Sequence, residues 1–160
     1  MMHALLPIFQ WFSNSWMGLF IQRFNWVFPA IEAVHIVALT VLFGAILFVD
    51  LQLLGLVRRD TTAAKLAQEL DPWVFSSLIL ICITGIMLFS SEALKLYGST
   101  PFQIKMAFLF AAIVYHFTIH RWVANAKAGS LAPIWGRLAA VVSISLWLGV
   151  GLGGRAIGFF

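Results

Sequence analysis

Long apolar stretches alternate with short polar ones along this 160-residue chain. About 20 consecutive apolar residues, rising 1.5 Å per residue, are enough for a helix to cross the hydrocarbon core of a bilayer. Stretches of this length cover residues 29–57, 73–94, 101–125 and 137–157. The pattern therefore predicts an all-α integral membrane four-helix bundle formed by residues 26–160.

A shorter aromatic stretch, residues 4–24, precedes the first span. Polar side chains interrupt it and Trp and Phe are frequent, a composition typical of a helix that lies in the membrane interface. It lacks the basic start and the small-residue cleavage site of a removable signal peptide. We therefore expect residues 1–25 to form an interfacial segment. The alternative is a fifth spanning helix.

Polar connections separate the spans. Residues 58–72 predict a short amphipathic turn ending at Asp71-Pro72, because the residue before a proline disfavours the helical conformation. Four crossings place the connections 58–72 and 126–136 on one side of the membrane. Basic residues are more numerous there, so the positive-inside rule favours a cytoplasmic location for both connections. The residues counted on that side are Arg58, Arg59, Lys65, Arg121, Lys127 and Arg137, against Arg23, Lys95, Lys105 and Arg155.

The composition agrees with a membrane protein. The chain is 62% hydrophobic and only 10% charged, whereas soluble domains carry about 25% charged residues. Its net charge of +4 comes from so few side chains that nucleic-acid binding is not indicated. Its single cysteine, Cys82, excludes an intramolecular disulfide and a cysteine-based metal cluster.

The third span carries basic side chains and contains no acidic residue. These side chains are Lys105, His116, His120 and Arg121. His116 and His120 are four residues apart and so share one face of a helix. Ionisable groups are costly at membrane depth, which makes each of them a candidate functional residue.

His35 lies early in the first span, which runs parallel to the third in a bundle of this kind. Histidines from facing helices suit b-type haem, whose iron accepts imidazole as an axial ligand. We therefore predict that His35 and His116, or alternatively His120, ligate one or two haem b groups per chain. The alternative for each histidine is a hydrogen bond to a neighbouring helix.

Other residues complete the predicted site. Lys105 and Arg155 would pair with the haem propionates, and Glu32, one turn before His35, would orient that histidine, carry protons or pair with Arg155. The last span is rich in small residues, which permit close approach of a flat ring or of another helix. They are Ser145, Gly149, Gly151, Gly153 and Gly154. A stripe of this kind favours a homo-oligomer embedded in lipid.

Two segments support a family resemblance. The stretches HIVALTVLFGAILFVDLQLLGLVRR and KMAFLFAAIVYHFTIHRW resemble the superfamily of copper-resistance protein D and HemJ-type protoporphyrinogen oxidases. The shared pattern is His35, Gly44, Lys105 and Tyr115-His116. The resemblance implies haem binding with His35 as a ligand, and a location in the bacterial inner (cytoplasmic) membrane. IEAVHIVALT and SLWLGVGLGGRAIGF resemble still more closely an uncharacterised bacterial family without an assigned activity.

These observations favour electron transfer or oxidoreduction with a quinone, oxygen or a redox protein as partner. One alternative is a HemJ-type protoporphyrinogen oxidase. A second is a copper-handling transport protein in which His35, His116, His120 and Met106 line a path. A third is a structural subunit without a cofactor.

Overall fold

The computed structural model describes residues 6–57, 61–126 and 133–157, and this part of the chain is helical throughout, without β-strands. The elements are α1 (Leu6–Ser13), α2 (Trp16–Arg23), α3 (Val27–Leu53), α4 (Ala63–Leu96), α5 (Thr100–Tyr115), a π-helical turn (His116–His120), α6 (Arg121–Ala124) and α7 (Pro133–Ala156). The π-helical turn joins α5 to α6, so that Thr100–Ala124 forms one long helical span.

Four helical spans are long and apolar enough to cross a membrane. Their mean hydropathies are 2.4 for α3, 2.2 for α4, 1.5 for Thr100–Ala124 and 1.5 for α7. The prediction of an all-α, multi-pass membrane protein is confirmed. By contrast, α1 and α2 have 8 residues each and so are about 12 Å long, too short to cross. The alternative of a fifth span at residues 4–24 is therefore wrong.

The predicted turn at residues 58–72 is largely helix. α4 begins at Ala63, where the Lys65 backbone N–H donates to the Thr62 side chain at 3.3 Å, as in a helix N-cap. The helix then continues through Pro72. The basic residues Arg58, Arg59 and Lys127, which support the predicted orientation, lie outside the described residues.

α3 ends in a glycine turn just after Leu53. Gly55 has a φ of 80°, a left-handed conformation that glycine adopts without steric cost. The Gly55 N–H donates to the Gln52 carbonyl and the Leu56 N–H to the Leu51 carbonyl, each at 2.9 Å. This Schellman motif satisfies the last carbonyls of α3 and reverses the chain.

The described residues fall into two compact units, which divide α3 and α4 between them. The first unit contains α1, α2, residues 27–41 of α3 and residues 76–99. Phe9 contacts Phe89 and Tyr97 edge-on, with centroid distances of 5.2 and 5.3 Å. The backbone of Gly18 lies so close to the carbonyl of Ser90 that a Cβ would be 2.8 Å away. The N-terminal helices thus pack against the second half of α4.

The second unit contains residues 42–75 and 100–157, a bundle of four helical segments. Val49, Leu66 and Ala124 form a buried cluster between α3, α4 and α6. The Tyr115 hydroxyl donates to the Ala139 carbonyl at 3.0 Å and so links the Thr100–Ala124 span to α7. This unit holds most of the predicted site residues.

The small residues of α7 pack against α5 of the same chain. A Cβ on Gly149 would overlap the Phe108 ring, and one on Gly153 would lie 3.1 Å from Cβ of Lys105. Ser145, in contrast, is exposed. Gly149 and Gly153 therefore serve helix contact inside the chain, and the homo-oligomer stays a prediction.

Candidate functional site

The two histidines of the third span stack on each other at the π-helical turn. Their ring centroids are 5.1 Å apart and their planes differ by 26°. The turn contains five residues, His116–His120, and the Arg121 N–H bonds back to the His116 carbonyl. A π-turn is wider than an α-turn and recurs at functional sites. The widened turn places residues four apart almost directly above each other, which explains the ring stacking.

His120 has a buried acidic partner. Its Nε2 donates to Oδ1 of Asp50 at 2.7 Å, and the two side chains are 2% and 1% exposed. A carboxylate only accepts hydrogen bonds, so the proton lies on Nε2 of His120. The third span contains no acidic residue of its own, and the partner of His120 comes from α3, as the alternative of a hydrogen bond to a neighbouring helix predicted.

α7 supplies a hydroxyl next to this pair. Ser143 is buried and interacts with the Asp50 carboxylate. Neither Ser143 Oγ nor Asp50 Oδ2 has a hydrogen-bond partner of normal geometry among the described residues. The Asp50–His120 pair therefore lies at a polar junction of α3, the third span and α7.

His116 is buried without hydrogen bonds. It is 6% exposed, and neither Nδ1 nor Nε2 has a partner among the described residues. A buried polar group left unsatisfied costs about 1–3 kcal/mol, so such a group in a native protein requires an explanation. A neutral imidazole can donate from one nitrogen and offer a lone pair at the other. His116 is therefore chemically suited to bind a metal or a small polar ligand.

A cavity lies beside the stacked histidines. Its polar lining consists of Asp71, His116, His120, Arg121 and Asn125. Small side chains, Ala45, Ala67 and Ala124, make room on its apolar side. The cavity connects buried groups to partly exposed ones, because the side chains of Arg121 and Asp71 are 32% and 27% exposed.

Arg121 is held by an ion pair and two aromatic rings. Its Nη2 donates to Oδ2 of Asp71 at 2.8 Å. Its guanidinium carbon also lies 5.6 Å from the Phe75 ring centroid and 6.0 Å from that of Phe117. Cation–π contacts at these distances are attractive and fix the orientation of the side chain. The Arg121–Asp71 ion pair thus links α4 to α6 at the partly exposed side of the cavity, its outer part.

In the first unit, His35 is bonded to Thr84. Nδ1 of His35 lies 2.8 Å from Thr84 Oγ1, whose hydroxyl donates to the Leu80 carbonyl at 2.7 Å. Because the Thr84 hydroxyl donates to the Leu80 carbonyl, its oxygen can accept a hydrogen bond from Nδ1 of His35. Histidines that ligate metals are oriented by this kind of second hydrogen bond.

The remaining predicted residues differ in exposure. Glu32 is exposed on α3 in the first unit. In the second unit, Lys105 is half-buried, and its Nζ would lie 3.6 Å from a Cβ at Gly154. Arg155 is exposed and follows Gly154 directly. Two cations therefore lie near the C-terminal end of α7.

The described residues contain no group of three or more His, Cys, Asp and Glu side chains that could hold a metal ion. Met106, which the copper alternative places on a transport path, is 45% exposed. A haem needs only one or two protein ligands, because the porphyrin supplies four nitrogens. Haem binding therefore stays a prediction.

The sequence profile of a family of unknown function (DUF6644) matches residues 8–160. The chain belongs to this family. Comparisons with curated proteins and with solved structures give no match. The resemblance to copper-resistance protein D and to HemJ-type oxidases stays a prediction.

Sequence reasoning did not select Asp50, Asp71 or Thr84 as site residues. A signal was present for Asp50, because an acidic residue in the apolar run FVDLQ is costly unless it is paired. No sequence signal assigns Asp71 to Arg121 or Thr84 to His35, because these partners are 50 and 49 residues apart.

Proposed function

We propose that the protein is a b-type haem-binding membrane protein of the bacterial inner membrane, which transfers electrons or oxidises a small substrate. The observation that carries the proposal is His116, a buried imidazole with no hydrogen bond at either nitrogen among the described residues. One nitrogen lone pair directed at iron would satisfy this histidine. The partner would be a quinone, oxygen or a redox protein.

The protein would contribute ligands and charges. His116 and His35 would each supply an imidazole, and the Thr84 hydrogen bond would keep the lone pair of His35 on Nε2. The Asp50–His120 pair would hold the His120 ring against His116 and so limit rotation of the ligand ring. Lys105 and Arg155 would neutralise the propionates. Bound haem would supply one-electron chemistry.

We expect the purified protein to contain haem and His116→Ala to lose it. Without an iron ligand, haem affinity should fall by about 10-fold or more, since loss of an outer-shell partner alone has effects of that size. Absorption spectra of oxidised and dithionite-reduced protein, with pyridine haemochrome quantification, measure the occupancy. His35→Ala should behave likewise. His3→Ala is the matched control, at a position outside the described residues.

Further variants separate a lost ligand from a lost fold. His116→Gly leaves space for free imidazole, so added imidazole should restore the haem spectrum if this histidine binds iron. Comparing haem per chain in the His116 and His35 variants shows whether the two residues serve one haem or two. A protein expressed with adequate haem that lacks a Soret band ends the proposal. Stoichiometric copper by elemental analysis would favour the copper-handling alternative.

A further inference from the structure

The cavity beside His116 joins a partly exposed ion pair to a buried imidazole. Arg121 and Asp71 form that ion pair, whereas His116 and His120 are almost completely buried. Asn125 adds an amide to the lining. The lining of the cavity thus includes both partly exposed and buried polar groups.

The outer part of the cavity lies near helix ends. Arg121 is in α6, which ends at Ala124. Asp71 is the ninth residue of α4, which begins at Ala63. α6 ends and α4 begins where polar stretches of the sequence meet the apolar ones. The ion pair is therefore close to the level at which the spans meet the aqueous phase.

A buried water is stable where a cavity is polar and offers two to four hydrogen-bonding partners. His116 meets this condition, because its two ring nitrogens lack partners among the described residues. Asn125 and the Arg121–Asp71 pair supply further donors and acceptors. A cavity lined only by Ala45, Ala67 and other apolar side chains would stay dry.

We propose that this cavity is a hydrated inlet that admits water, and protic solutes of about its size, from the Arg121–Asp71 side to His116. Ala45, Ala67 and Ala124 keep the inlet open, because larger side chains there would fill it. The inlet does not require haem. If haem is bound to one nitrogen of His116, the other nitrogen still faces a water partner.

Silver ions test the inlet, since Ag⁺ is small, enters water-filled passages and binds thiolates. In a Cys82→Ser background, which removes the exposed native thiol, Ala124→Cys places a thiol on the cavity wall. Ala140→Cys is the matched control, because Ala140 is equally buried but lies on α7 away from the cavity. The full-length protein in lipid nanodiscs is treated with Ag⁺, denatured and labelled with a maleimide.

We expect Ag⁺ to abolish maleimide labelling of the Ala124→Cys protein and to leave labelling of Ala140→Cys intact. Adding Ala67→Leu to Ala124→Cys should restore labelling by filling the inlet. Ala45→Cys, on α3, repeats the test if Ala124→Cys does not fold. Intact labelling of both cavity thiols overturns the inlet, as does equal loss in the Ala140→Cys control. The experiment measures maleimide labelling of a thiol and not haem content. The inlet can therefore be refuted or supported separately from the proposed function.

Discussion

Asp50 and His120 form the most deeply buried polar contact among the described residues, with side chains 1% and 2% exposed. Removing two such groups from water is expensive, and their attraction offsets this cost only while both are present. Loss of one partner leaves the other buried and uncompensated. Substitution of either residue alone is therefore expected to destabilise the fold, whether or not the intact pair itself adds stability.

Asp50→Leu is expected to lower the free energy of unfolding by about 3–5 kcal/mol, because His120 then stays buried without its acidic partner. The double variant Asp50→Leu/His120→Leu should be less destabilised than the sum of the two single variants. Denaturant unfolding in detergent, followed by circular dichroism, gives these values.

Lys95→Gln serves as the control for this cycle. Lys95 contacts Glu92 at 3.5 Å with both side chains largely accessible, and exposed pairs of this kind contribute little. The free energy of unfolding of the Lys95→Gln variant should match that of the unmodified protein. Strict additivity of the Asp50 and His120 variants would contradict a direct interaction between these side chains.

Helix packing in lipid depends on close approach, because lipid tails are as apolar as the side chains they replace. α7 meets this requirement with Gly149 and Gly153, which lie against Phe108 and Lys105 of α5. The missing side chains let the two helices approach closely. At Gly151, on the same helix, a Cβ would meet nothing within 4 Å.

Gly149→Ala is expected to destabilise the protein by about 1–3 kcal/mol, as added atoms do in a filled contact. Gly151→Ala should be neutral or stabilising by up to about 1 kcal/mol, because alanine is the better helix former. Thermal unfolding of the two variants in one detergent compares them directly.

A second substitution checks the cause. Phe108→Ala should rescue part of the Gly149→Ala defect by making room for the new methyl group. Equal stabilities of Gly149→Ala and Gly151→Ala would show that the α5–α7 contact does not use this glycine.

Across the whole molecule, four spans place the connections after α3 and α6 on one side of the membrane. The predicted excess of basic residues puts that side in the cytoplasm. α4 offers a direct measure of orientation, because Lys65 and Lys95 lie near its opposite ends and both are exposed. They are 30 residues apart, or about 45 Å along the helix, more than the thickness of a hydrocarbon core.

In a Cys82→Ser background, Lys95→Cys should react with a membrane-impermeant maleimide in intact spheroplasts. Lys65→Cys should react only after permeabilisation, since the positive-inside rule predicts that its end of α4 faces the cytoplasm. Gel-shift labelling before and after lysis distinguishes the two. The opposite result would invert the topology, and labelling of both thiols in intact cells would mean that α4 does not cross.

The four spans could be predicted from sequence because length and hydrophobicity are properties of each segment by itself. A run of about 20 apolar residues has few alternatives to a membrane helix, whatever its neighbours are. The shared helix face of His116 and His120 could also be predicted, because their four-residue spacing is a property of one helix alone. The start of α4 at Ala63 could not be predicted from hydropathy, because residues 63–72 are polar and helical at the same time.

The pairing between helices was decided only by the tertiary structure. His120 meets Asp50 across 70 residues and Arg121 meets Asp71 across 50, and no local pattern specifies which buried charge faces which. The glycines of α7 could equally have faced another subunit, until the position of Phe108 showed that they pack within the chain. The positions of the spans are determined by the transfer of each segment from water to lipid. The pairing of buried polar side chains is determined by how the helices are rotated against one another.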